Sequence, residues 1–184
     1  MNNPAHDPEQ VLAFWFAPGR EVQWFVRSDA FDAQVEETLG SAYRQAQEGG
    51  FNHWAREARG ALALILLLDQ VPRQLHRGSP EAFVCDARAR TITEAALAAG
   101  QDQELGPAER LFLYLPLEHS EDLADQERAV ALISALGDDE WTRYAVIHRN
   151  IIARFGRFPH RNAALGRQTT AEEAAFLQEP ESSF

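Results

Sequence analysis

The stretch "ALALILLLDQVP", Ala61 to Pro72, decides the fold. It is apolar on every side, and a helix tolerates that only when neighbouring elements surround it. The segment from about Ala58 therefore reads as a central helix. Pro72 disfavours helical geometry in the residue before it, so the helix is expected to end near Val71.

Helical signals dominate outward from this core, and no period-2 alternation marks a strand. Asp7 before Pro8 gives a cap and an N1 proline to a short helix through Val11, Leu12, Trp15 and Phe16. Ser28 caps a longer one with Phe31, Val35, Leu39, Ala42 and Ala46 on one face, stopped by Gly49-Gly50. Ser79-Pro80 opens a helix to Ala99, and Gly106-Pro107 opens another that Pro116 kinks or breaks. A helix over about Leu117–Leu136 follows. Asp138 or Asp139 then caps one carrying Trp141, Tyr144, Ile151, Ile152 and Phe155, which Gly156 ends. Thr170 with Glu173 forms a capping box for a last short helix. The expected fold is all-α, seven to nine helices in antiparallel pairs, in one domain over residues 1–184 with loose ends at about 1–6 and 179–184. The early aromatics Trp15, Phe16, Trp24 and Phe25 are expected to pack on the core, with a dimer contact as the alternative.

Composition narrows the function. A net charge of −11 opposes binding to a nucleic-acid backbone, whose affinity comes from many cationic contacts. All 17 basic residues are arginine, a pattern that GC-rich coding produces as readily as a need for guanidinium chemistry. The single cysteine, Cys85, excludes an internal disulfide and follows an apolar stretch that suits a core position. The start, MNNPAHDPEQ, has neither the basic residues nor the apolar run of a signal peptide, and Ala61–Leu68 is far shorter than the roughly 20 residues that span a bilayer. A cytoplasmic protein with no membrane partner is expected.

Several polar residues fall on faces that should be buried. At about 100° per residue, Leu123, Val130 and Ile133 set the inner direction of the helix from Leu117. His119 and Gln126 lie on that line, Asp122 lies near it, and Glu118 sits at its margin; Glu121 and Glu127 point away. His148 stands in the middle of the next helix's apolar face. The central helix adds Asp69 and Gln70, with Arg73 one turn beyond. The segment "RFGRFPHRN", Arg154 to Asn162, then supplies Arg157, His160, Arg161 and Asn162 on a turn fixed by Gly156 and Pro159 and anchored by Phe155 and Phe158. A buried polar group without a partner costs about 1–3 kcal/mol, so these groups are expected to meet one another, water or a ligand. Asp69, Asp122 and Glu118 are expected to pair with Arg73, Arg157 or Arg161.

Three readings fit such a cluster. It is a structural network of arginine and carboxylate pairs, or a pocket for a small anion held by arginine forks, or a metal site on His119, Asp122 and His148. The metal reading is the weakest, because HExxH, cysteine clusters and paired Glu-x-x-His motifs are all missing; neither a metal nor a cofactor is assigned. P-loop, GxGxxG and GxSxG motifs are missing too, and Glu118, His119 and Ser120 are adjacent helical residues that cannot face one another as a triad.

Four long stretches, "VLAFWFAPG", "LLLDQVPRQLHRG", "ERLFLYLPLEHSEDLADQ" and "RFGRFPHRNAALGR", resemble a bacterial family called domain of unknown function 924. The likeness runs through nearly the whole chain. It implies an all-α fold similar to the tetratricopeptide-like α-α superhelix, and it brings no activity and no catalytic residues with it. The preferred expectation is a pocket binding a small anionic molecule. Arg73, Arg157 and Arg161 hold the anion, His119 and His148 are candidate proton carriers, and Asp69, Gln70, Glu118, Asp122, Gln126, His160 and Asn162 complete the lining. The alternative is a tetratricopeptide-like scaffold that binds a protein or peptide and whose polar network is structural.

Overall fold

A computed structural model describes residues 7–183; the loose end expected at 1–6 lies outside them. Among the described residues the fold is all-α, with nine α-helical segments and no strand. The caps read from the sequence do their work. Asp7 accepts from the Glu9 N–H at the start of α1 (Pro8–Trp15), and Ser28 accepts from the Phe31 N–H at the start of α2 (Asp29–Gln47).

The central rod is longer than expected. It runs as α3 (Ala58–Ile65), a π-helical turn (Leu66–Gln70) and α4 (Val71–Leu75), so Pro72 does not end it. A proline has no N–H to give and its ring crowds the carbonyl four residues back. In the π turn the Val71 N–H reaches the Leu66 carbonyl five residues back, and the rod continues through Pro72 into α4. Ala61 to Leu68 and Val71 are wholly buried, packed by α1, α2, α5 (Asp86–Ala98) and α6 (Pro107–Glu118). Asp69 and Gln70, inside the π turn, are buried with them.

Two other boundaries differ. Ser79 and Pro80 start only a 3-10 turn, Pro80–Phe83, before α5 begins at Asp86. Pro116 lies inside α6 without breaking it, because the last turns of that helix are buried from Leu111 to Glu118 and packing outweighs one lost bond. The chain then turns through Ser120–Asp122, and α7 (Leu123–Ser134) starts afresh with Asp122 as its cap. The helix expected over Leu117–Leu136 is thus two helices. Beyond it, α8 (Asp139–Phe155) ends on Gly156, whose φ of +67° suits glycine, and α9 (Ala171–Phe176) begins with the expected Thr170–Glu173 box. From α5 to α8, each helix packs on the next.

Residues 179–183 make contacts with the body of the fold. The Glu179 N–H donates to the Phe176 carbonyl, Ser182 is buried and donates to the Leu177 carbonyl, and Glu181 pairs with Arg143. Of the early aromatics, Trp15 is fully buried and Phe16 and Trp24 are half-buried around Phe112, but Phe25 stays 61% exposed. Cys85 is in the core.

Gly60 shows how tightly the rod is packed, since a Cβ there would sit 2.2 Å from the Trp54 carbonyl oxygen. Gly60→Ala is expected to destabilise the protein by about 1–3 kcal/mol through backbone displacement. At Gly40 in α2 the nearest atoms to a Cβ are those of the flexible Glu36 carboxylate, so Gly40→Ala is expected to be neutral or to gain up to about 1 kcal/mol of helix propensity. Urea midpoints for the two variants, compared with the wild type, check both signs.

Candidate functional site

The site grows from Asp69. The π turn sets this carboxylate wholly inside the protein, and three groups meet it there. Its Oδ1 lies 2.8 Å from His119 Nδ1 and 3.3 Å from Arg73 Nη1, and its Oδ2 accepts from Gln70 Nε2 at 2.6 Å. Burial opposes the charge, but Arg73, His119 and Gln70 outweigh it and hold the carboxyl well below its ordinary range. Arg73 also donates to the Asp69 carbonyl at 2.6 Å and makes a two-pronged pair with Asp86 at 2.9 Å on each prong. Asp86 reaches Arg161 Nη1 at 3.4 Å. One line of contacts therefore runs His119, Asp69, Arg73, Asp86, Arg161.

Arg161 is the anomaly in that line. It is 6% exposed, with its guanidinium over the rings of Phe83 (4.7 Å) and Phe158 (4.5 Å). Among the described residues its one side-chain hydrogen bond is the long one to Asp86, and its Nε is buried without a partner. Burial, reinforced by the nearby Arg73, lowers its pKa to about 10, which leaves it charged at neutral pH.

Behind His119 lies a second pair. His148 Nδ1 donates to the Tyr144 carbonyl at 2.9 Å and lies 3.4 Å from Glu118 Oε1. The His148 ring sits 6.3 Å from the His119 ring and 5.6 Å from Phe158. Burial and the charge of Asp69 push Glu118 up to about 8, so it is a neutral acid at pH 7. Burial likewise takes His148 down to about 3, and burial with Arg161 and Arg73 takes His160 to about 3. His119 is lowered by burial and by Arg73.

The structure thus brings together Asp69, Gln70, Arg73, Glu118, His119, His148, His160 and Arg161. It separates four other residues from them. Asp122 is exposed and its carboxylate caps α7 by accepting from the Ala124 N–H at 2.8 Å. The helical arithmetic that turned it inward fails because the chain leaves the helix at His119 and re-enters at Leu123. The metal set built on His119, Asp122 and His148 falls with it. Gln126 is buried, but its amide donates to the carbonyls of Glu118 and Ser120 and so ties the α6–α7 corner. Arg157 pairs twice with Glu173, at 2.6 and 2.8 Å, instead of with the cluster, and Asn162 donates to the same Glu173 at 3.3 Å. The segment Arg154–Asn162 therefore divides: Arg157 and Asn162 lock α9, while His160 and Arg161 turn to the cluster.

Sequence reasoning missed Asp86, Phe83 and Glu121. Asp86 opens α5, where an acid reads as compensation for the helix dipole, and nothing local marks it as the partner of Arg73. Glu121, expected to point away, instead takes both prongs of Arg167 (2.7 and 3.0 Å) and the Phe158 N–H (2.8 Å), fixing the loop that carries Arg161. A cavity of about 350 Å³ beside α1, lined by Asp7, Glu9, His53, Trp54, Glu57 and Arg59 among others, holds none of the expected site residues.

The raised Glu118 pKa has a consequence for stability. The folded state keeps this proton up to about pH 8, whereas the unfolded chain releases it near 4.5. Its raised pKa therefore takes nothing from stability below pH 4.5, and the cost grows as pH rises from 4.5 to about 8. Glu118→Gln is expected to match the wild type near pH 4.5 and to become progressively more stable than it up to pH 8. Paired urea titrations across that range check the divergence.

Comparison with known proteins agrees with this architecture. No curated protein matches. One solved structure, a protein of unknown function, ATU0120, from Agrobacterium tumefaciens, is 38% identical with a TM-score of 0.88, and the match covers 93% of this chain and 96% of that one. The family model described as "Bacterial protein of unknown function (DUF924)" matches residues 11–181. On that span and likeness, the chain belongs to the DUF924 family.

Proposed function

We propose that the protein binds a small anion at Arg161. The observation that carries this reading is a protonated guanidinium held almost entirely out of water with one long hydrogen bond. A purely structural arginine is satisfied by its neighbours, as Arg73 is by Asp69 and Asp86. Arg161 keeps donors in hand, and Phe83 and Phe158 hold its plane so that little entropy is lost when an anion meets it. Glu121 and Arg167 stiffen the loop beneath. In this reading Asp69, Gln70 and Arg73 orient His119 beside the anion, and the protein is a single cytoplasmic domain. Among the described residues no helix is long and apolar enough to cross a membrane.

A second reading, a peptide-binding scaffold on a tetratricopeptide-like superhelix, draws on another observation. Val22, Phe25 and Val26 expose 70%, 61% and 60% of their surfaces within five residues. Large apolar side chains exposed together mark interaction surfaces.

The two readings separate by mutation. Acetate, at constant ionic strength, is expected to raise the melting temperature of the wild type by mass action and to leave Arg161→Gln unmoved. An equal rise in both proteins contradicts the anion reading. Under the scaffold reading, Phe25→Asp abolishes capture of a defined partner peptide and Arg161→Gln leaves it intact.

A further inference from the structure

His119 has a fixed tautomer. Asp69 is held ionised, so Nδ1 carries the proton that lies between them and Nε2 carries a lone pair. Among the described residues no protein group hydrogen-bonds to that Nε2, and the side chain keeps 14% of its surface open. With the ring's pKa lowered by burial and by Arg73, His119 is a neutral acceptor at pH 7. Arg161 is its complement, a cation with donors to spare. The two flank Arg73, since Arg73 grips both the carboxylate that holds His119 and the carboxylate that touches Arg161.

The charges limit what the pair can hold. Arg73 and Arg161 are positive and Asp69 and Asp86 negative, while Glu118 at about 8 and the lowered His119, His148 and His160 are neutral at pH 7. Arg73 is neutralised by Asp69 and Asp86, whereas Arg161, among the described residues, reaches one carboxylate at 3.4 Å and keeps a buried Nε–H without a partner. A monoanion meets Arg161 at the cost of one net negative charge. A dianion such as sulfate brings a second one next to the carboxylates of Asp69 and Asp86.

We propose that the site takes a small hydroxycarboxylate, its carboxylate on the Arg161 fork and its hydroxyl donating to His119 Nε2. This rests on the anion-binding reading above and adds what the second contact is for. A carboxylate with no hydroxyl leaves Nε2 unfilled and binds less well, by the worth of one hydrogen bond.

Matched pairs of acids test it on the unmodified protein. Calorimetric titration at pH 7 and constant ionic strength compares lactate with propionate, 3-hydroxybutyrate with butyrate, and sulfate, a dianion without a hydroxyl, with all four. At least one hydroxy acid is expected to bind about five- to tenfold more tightly than its parent. Sulfate is expected to bind more weakly than either member of that pair, and Arg161→Gln to lose them all. The ¹⁵N signal of His119 Nε2 should move with the hydroxy acid and stay still with the parent. Equal affinities within both pairs, or a His119 signal that ignores the hydroxyl, overturn the proposal and leave anion binding standing. Sulfate as the tightest ligand overturns the monoanion argument. If none of the five binds, the anion reading itself fails.

Discussion

The site hangs on one buried carboxylate. Asp69 is shielded from water on every side, and its charge survives only because Arg73, His119 and Gln70 converge on it. Desolvating a carboxylate without such partners is expensive enough that the side chain would take up a proton instead. Each partner is fixed by serving the charge. His119 is locked in one tautomer, Arg73 is bent back over its own helix, and Arg73 in turn draws Asp86 and the start of α5 against the central rod.

The π turn is the backbone half of the same arrangement. In a regular helix, Pro72 collides with a carbonyl and ends the rod at the sequence that carries Asp69 and Gln70. By widening for five residues the rod keeps going, and its polar turn stays within the core instead of fraying at a surface. Local deviations of this kind concentrate at functional sites because a regular helix has no reason to accept them. On the far side, Glu121 performs the equivalent service for the loop after Gly156, gripping Arg167 and the Phe158 N–H so that Arg161 enters the core.

The fold was legible in the sequence because its signals are local. Capping residues at Asp7, Ser28, Asp138 and Thr170, terminators such as Gly156, and an eight-residue apolar run need no tertiary knowledge. The inner members of the cluster were legible for a related reason: Asp69, His119 and His148 break apolar patterns that are strong around them. Asp122 and Arg157 were misplaced, and for different causes. Phase arithmetic assumes an unbroken helix, and the corner at Ser120–Asp122 resets it. Arg157 differs from Arg161 only in which carboxylate lies within reach, and sequence does not reveal that Glu173, brought back by α9, claims it first. Asp86 escaped because a first-turn acid already has a sufficient local explanation.

These observations leave His119 Nε2 open and, among the described residues, make Arg161 the cation of the cluster whose buried Nε–H has no partner. The most direct test watches that side chain. Its Nε–H is buried and unbonded, so its ¹H–¹⁵N signal can be followed by NMR while lactate is added, with Arg157, saturated by Glu173, as an internal reference. The account predicts a saturable shift of the Arg161 signal and none at Arg157. An Arg161 signal that stays still to saturating lactate, acetate and phosphate contradicts it and leaves the cluster as a structural device alone.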